Sequence, residues 1–163
     1  MNNFFTGILV FLVGGLLACI FKGGNKLKVV SATSAIGSIL CAAPALWVLF
    51  NNVNLGYAIN FNPLFKTVEF VLDPLSAFFV VVISLMSLMG VIYSNGYLKP
   101  YLQKAKNINS HIIFLTLLIA SMLLVVTCNS ALMFLIFWEI MSLSSSFLVI
   151  FESDKKDVLK AGV

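Results

Sequence analysis

One carboxylic acid stands where a charge is expensive. Glu139 is the sole charged residue between Asn107 and Phe151 and sits within the apolar run 131–151. A helix over that run places it eight residues in, near the membrane midplane. There a charged side chain costs about 2.5–3.5 kcal/mol on insertion scales and ordinarily faces a bundle interior or a water path. Ser142 and Ser146, at i+3 and i+7, fall on or beside the same helical face. Their hydroxyls, and water held by them, can solvate the carboxyl. A carboxyl poised between desolvation and a nearby cation can load and release a proton, so the expected chemistry is proton transfer. The alternative is a neutral, hydrogen-bonded carboxyl kept for packing. His111 opens the preceding apolar run, where an imidazole can relay protons or simply mark a helix end.

Other chemistries find little support. Net charge is +4, but all ten cations are Lys and lie in short scattered segments, which excludes a nucleic-acid surface. Cys19, Cys41 and Cys128 lie far apart, with no Cys-x-x-Cys and no clustered His. Neither a metal site nor a disulfide framework is expected. Gly14-Gly15 and Gly23-Gly24 are not set between a strand and a helix, so no phosphate loop or other cofactor site is expected. With no nucleophile–base pair in view, the chain is not expected to be catalytic by itself.

Composition identifies the elements that must carry Glu139. Of 163 residues 61% are hydrophobic and 10% charged, with mean hydropathy +1.07. Soluble domains carry about 25% charged residues, and a fold this small cannot hide so much apolar side chain. The expected class is an all-α integral membrane protein in one membrane domain, 1–163. Helices of about 20 apolar residues span the hydrocarbon, and the sequence offers five, at 4–21, 29–50, 74–93, 111–126 and 131–151. The run from Asn107 to Phe151 would rise about 68 Å as one helix, so it must fold back, and Thr127-Cys128-Asn129-Ser130 is the polar break. Residues 157–163 read as the start of a sixth helix.

The 51–73 segment carries the longest connection. Tyr57, Ile59 and Phe61 alternate with Ala58 and Asn60, and Val68, Phe70 and Leu72 alternate with Glu69 and Val71, on either side of Asn62-Pro63. That pattern predicts a short β-hairpin. Asp73-Pro74 then predicts a helix N-terminus, with an acceptor at the cap and Pro in the first turn. Small residues Gly14, Ala18, Ser31, Ala32, Ser34, Ala35, Gly37 and Ser38 predict close helix approach.

Lysine distribution sets the expected orientation. Lys22, Lys26 and Lys28, then Lys99, Lys104 and Lys106, then Lys155, Lys156 and Lys160 follow the first, third and fifth spans, while Lys66 alone lies on the other side. By the positive-inside rule the amino terminus and the hairpin are outside and the loops at 22–28, 94–110 and 152–156 are cytoplasmic. A multi-pass protein of the cell (inner) membrane is expected. Leu16-Leu17-Ala18-Cys19 mimics a lipoprotein cleavage site, yet no positive charge precedes the apolar run, so residues 4–21 are read as a true helix.

Three ordered blocks carry a family resemblance. Leu72-Asp73-Pro74-Leu75-Ser76-Ala77-Phe78-Phe79 comes first, then Tyr93-Ser94-x-Gly96-Tyr97-Leu98. The third begins at Ala120-Ser121-Met122-Leu123-Leu124 and continues through Asn129 to Trp138-Glu139-x-Met141-Ser142-Leu143-x-Ser145. Together they resemble the antiporter-like membrane subunits of respiratory complex I, Mrp-type cation/proton antiporters and energy-converting hydrogenases. The ending Phe147-Leu148-Val149-x-Phe151-Glu152 looks most like hydrogenase-4 component B or the formate hydrogenlyase membrane subunit.

The resemblance implies the amino-terminal portion of a protein of about fourteen helices containing inverted repeats. It implies that Glu139 is the fifth-helix Glu that pairs with a Lys on a seventh helix and takes part in proton translocation. That Lys is absent from these residues, so the charge partner is expected beyond Val163 or on another subunit. The hairpin resembles the family's element linking neighbouring subunits. The implied role is a proton-translocating subunit of a redox-driven complex of the hydrogenase or NADH/quinone oxidoreductase type. Its implied partners are other membrane subunits, the lipid bilayer and protons, or Na+. The alternatives are an Mrp-type cation/proton antiporter subunit and a structural membrane anchor without transport of its own.

Overall fold

In lipid no water is present to satisfy a bare peptide group, so a chain this apolar must close its backbone hydrogen bonds internally. The computed structural model describes residues 1–20, 25–60, 67–103 and 108–150. They form α1 (Asn2–Ile20), α2 (Asn25–Asn51), β1 (Leu55–Asn60), β2 (Thr67–Leu72), α3 (Pro74–Gln103), α4 (Ile108–Thr127) and α5 (Ala131–Ile150). This is an all-α membrane fold with one small sheet. The predicted start of a sixth helix lies outside the described residues.

Among the described residues four stretches are long and apolar enough to cross a membrane: Lys26–Asn51, Pro74–Ser94, Ile108–Thr127 and Ala131–Ile150. The apolar part of α1, Asn2–Leu17, is shorter. The whole of α1 rises about 28 Å, against a hydrocarbon thickness of about 30 Å.

Two boundaries differ from the sequence reading. Lys26 and Lys28, expected in a loop, lie in the first turn of α2, and the segment expected as a loop over 94–110 is helical to Gln103 and again from Ile108. Hydropathy marks where a helix leaves the lipid. It does not mark where the helix stops, because intrahelical bonds remain favourable through the interface. Pro44 lies inside α2, a tolerated break in the ladder of a membrane helix. After α2 the chain turns at Asn52, whose φ of 50° is the left-handed conformation that Asn accepts at a helix end.

Helix α1 packs on α2 and α4, α3 packs on α2 and α4, and α5 packs on α4. The α1–α2 approach is close because Gly14 faces Thr33 and Gly37 lies under the Phe11 ring, while Gly15 lets Thr116 of α4 approach. One apolar cluster gathers Phe4, Ile8, Phe11, Cys41, Ala45, Val48, Leu72, Ala77, Val80 and Leu123 at the hairpin end. A second, at the Lys-bearing end, joins Leu27, Val30, Val91, Ile108 and Ile112. The outward faces carry Leu9, Ile39, Phe50, Met86 and Ile92, all exposed and apolar as a lipid-facing surface requires.

The hairpin forms as its alternation predicts. β1 and β2 pair antiparallel with Tyr57 opposite Phe70 and Ala58 opposite Glu69. Val68, Phe70 and Leu72 point into the protein while Glu69 is exposed.

Candidate functional site: the uncovered face of α5

Helix α5 starts where the polar break predicts, with the Phe134 amide donating to the Ser130 carbonyl at 2.8 Å. Two aromatic contacts hold it. Phe147 stacks on Phe114 of α4 with centroids 4.6 Å apart and planes at 16°. Near the hairpin, Phe137 meets Phe70 at 6.2 Å. Ser144, on the side toward α4, is buried and donates to the Ile140 carbonyl at 2.7 Å.

Glu139, Ser142 and Ser146 share a face of α5, as their spacing requires, and all three are exposed. Exposed Leu135 and Leu143 flank them, so the carboxyl and two hydroxyls form a polar strip in an apolar surface. Among the described residues no other helix covers this strip. The Glu139 carboxyl therefore faces out of this group of helices. The strip can accept a proton at Glu139 and pass it along hydroxyls that lie about 4.5 and 10.5 Å farther along the axis.

His111 is half-buried in the first turn of α4, at the end where the Lys26 ammonium donates to the Asn109 side-chain oxygen. Helices α4 and α5 run antiparallel across a three-residue turn, which puts His111 about 12 Å beyond Glu139 along the axis. The structure does not bring His111 to the Glu139 strip.

What positions the hairpin end of α5 escaped the sequence reading. The Asn129 amide donates to the Glu69 carbonyl at 2.8 Å and its side-chain nitrogen to the Glu69 carboxylate at 3.3 Å. Phe70 also bridges to Cys128. The turn between α4 and α5 is thus joined to β2 by an isolated β-bridge. Phe5 of α1 contacts both Tyr57 and Phe70, at 5.3 and 5.2 Å, tying the hairpin to the first helix. The alternation of β2 showed which side chains point inward. No local signal showed that residues sixty positions later would pair with it.

Beside this junction Asp73 caps α3 as predicted, accepting from the Ser76 amide at 3.0 Å. The bonds from Ser76 hold its carboxyl below the usual carboxylate range. A cavity of about 260 Å³ opens here, lined by Asp73, Ser76, Thr127, Cys128 and Asn129 among others.

Residues 47–106 match the family described as NADH-Ubiquinone oxidoreductase (complex I), chain 5 N-terminus. Hydrogenase-4 component B of Escherichia coli (strain K12) is 32% identical over 155 residues, 93% of this chain and 22% of that protein. The putative antiporter subunit mnhA2 of Staphylococcus saprophyticus is 37% identical over 90 residues, 55% of this chain and 11% of that protein. The chain belongs to the antiporter-like membrane-subunit family. It spans about a fifth or less of the length of these curated relatives. Within the family match, residues 47–106 cover the end of α2, the hairpin and all of α3, the elements that fix the hairpin end of the molecule. Glu139 lies outside that segment and inside the longer alignment's reach.

Proposed function

We propose that this chain is part of a proton-translocating membrane subunit of a redox-driven, multi-subunit complex, with Glu139 as the coupling carboxyl. The observation that carries the reading is the position of Glu139, an ionisable group midway along an apolar helix with Ser142 and Ser146 on its face. Such a residue is costly unless it faces a water path or a charge partner. The described residues leave its face uncovered, so the partner cation and the water come from further helices of the full-length protein or from a neighbouring subunit. The similarity of nearly the whole chain to hydrogenase-4 component B favours a complex of hydrogenase type. The amino terminus and hairpin are assigned to the outer side of the cell membrane on the lysine asymmetry.

The test uses the full-length protein in its complex. Glu139→Gln keeps shape and most hydrogen bonds but cannot ionise, so it should abolish or sharply reduce proton uptake in sealed vesicles while assembly is retained. Glu139→Asp should keep partial function. Ser142→Ala should have a smaller effect, since interhelical side-chain hydrogen bonds in membranes average about 0.6 kcal/mol. Pumping by the Gln variant at wild-type stoichiometry would make Glu139 a packing residue.

A second reading, a cation/proton antiporter subunit, rests on the similarity to mnhA2. It predicts Na+-dependent proton movement without redox turnover.

A further inference from the structure

Five of the polar side chains buried among the first four helices fall at one level, while Ser94, Ser121 and Thr127 are buried elsewhere on α3 and α4. Along α2 the buried order is Val30, Ser34, Gly37, Ser38, Cys41; along α3 it is Val80, Ile83, Ser84, Ser87, Val91; along α4 it is Ile112, Thr116, Ile119. On α1 the same level is taken by Gly14 and Gly15, which follow Phe11. The apolar residues on either side belong to the two separate clusters, one holding Phe11, Cys41, Val80 and Ile119 and the other Val30, Val91 and Ile112. Half-buried Leu115 touches both. Five hydroxyls therefore form a layer across the bundle, closed above and below by hydrocarbon.

Two of the five are satisfied by their own helices. Ser87 donates to the Ile83 carbonyl at 2.7 Å, and Thr116 to the Ile112 and Ile113 carbonyls at 3.1 and 3.0 Å. This bond to the preceding turn is the ordinary recourse of a hydroxyl inside a helix. Ser34, Ser38 and Ser84 do not take it. Each is at least 98% buried, and their hydroxyl oxygens have no hydrogen-bond partner among the described residues. Buried polar groups left unpaired are unfavourable and correspondingly rare, and three at one level on two packed helices require a common partner.

We infer that this layer is a binding site for water, held between α2 and α3 and completing the hydrogen bonds of Ser34, Ser38 and Ser84. Buried waters typically make about three bonds to otherwise unsatisfied groups, which matches the three hydroxyls. An ion does not fit, because no charged side chain lies at this level on α1–α4. The two apolar clusters make the water trapped, not part of a path across the membrane. It is therefore separate from the Glu139 strip on the far side of α5.

X-ray radiolytic hydroxyl labelling reads such water directly. The full-length protein in lipid nanodiscs is diluted briefly into water enriched in oxygen-18 and irradiated. Phe11 is fully buried with its ring over Gly37, next to Ser38, whereas Phe4 is equally buried in the apolar cluster alone. Phe11 should be oxidised several-fold more than Phe4, carrying oxygen-16 from slowly exchanging water. The triple substitution Ser34→Ala, Ser38→Ala, Ser84→Ala should bring Phe11 down to the level of Phe4. If the triple variant fails to assemble, Ser84→Ala alone should at least halve the labelling. Equal labelling of Phe11 and Phe4 in the unaltered protein, or labelling unchanged in the Ala variants, would overturn the inference. Bulk-like oxygen-18 content at Phe11 would overturn the claim that the water is trapped.

Discussion

Replacing Gly14 by Ala tests how closely α1 and α2 approach. A Cβ at Gly14 would lie 2.2 Å from the Thr33 hydroxyl oxygen, 2.5 Å from its Cβ and 3.1 Å from its Cγ2. The hydroxyl can rotate away but the Thr33 Cβ cannot, so the helices must separate by about 1 Å to restore van der Waals contact near 3.5–4.0 Å. Overpacking of this kind costs about 1–3 kcal/mol. The better helix propensity of Ala returns about 0.5–1 kcal/mol. The net expectation is a loss of about 1–2 kcal/mol, or about five- to thirty-fold in the ratio of folded to unfolded protein. Gly90 supplies the internal control, because nothing lies within 4 Å of its ideal Cβ. Gly90→Ala should be neutral or stabilising. Reversible unfolding of the full-length protein in bicelles measures both. The double variants sharpen the case: Gly14→Ala with Thr33→Ala recovers only part of the loss, since the Thr33 Cβ remains, whereas Gly14→Ala with Thr33→Gly recovers the steric part in full. If Gly14→Ala is as stable as Gly90→Ala, the close packing of α1 on α2 is wrong.

Asp73→Ala should cost about 1 kcal/mol through loss of the cap on α3. Because hydrogen bonds from Ser76 lower the Asp73 pKa in the folded protein, the carboxylate stabilises at pH values above its unfolded pKa. That stabilisation fades as pH falls through the folded value, and acid titration of the melting temperature should show the fade in the parent and not in Asp73→Ala. Asn129→Pro, which removes the donor to Glu69, should destabilise the hairpin end more than Asn129→Ala, which leaves the backbone bond; protection of the Asn129 amide in hydrogen exchange checks the contact. Phe147→Ala removes the stack on Phe114, worth about 0.5–1.5 kcal/mol beyond area. It should loosen the Lys-bearing end of α5, seen as weaker disulfide cross-linking between Cys pairs placed on α4 and α5.

The membrane class, the hairpin, the cap at Asp73 and the fold-back at Thr127–Ser130 were all legible because each has a local cause. Lipid demands long apolar runs, a half-buried strand alternates, and an N-cap needs an acceptor. Which helix meets which was not legible. In lipid the outward face is as apolar as the packed one, so the pattern of α3 or α5 does not mark a buried side. Hydropathy accordingly found Glu139 and its neighbours Ser142 and Ser146 but not the direction they face. The small residues of α2 pointed to close packing without separating Gly37, which admits Phe11, from Ser34 and Ser38, whose hydroxyls are buried without a partner among the described residues. The pairing of Asn129 with Glu69 depends on chain reversal through two helices, and no short window contains both residues.

Helix α5 is fastened unequally along its length. At the hairpin end it is gripped through Asn129, Cys128 and Phe137, while near the other end the Phe114–Phe147 stack is its marked contact. Mechanically that is a lever with its fulcrum at the hairpin. Measured from Phe137, the last contact of the hairpin end, Glu139 stands about 3 Å along the arm and Phe147 about 15 Å, so a tilt of about 10° swings them through about 0.5 and 2.6 Å. The carboxyl thus sits beside the anchored end, and displacement at the Phe147 tip reaches it reduced about five-fold.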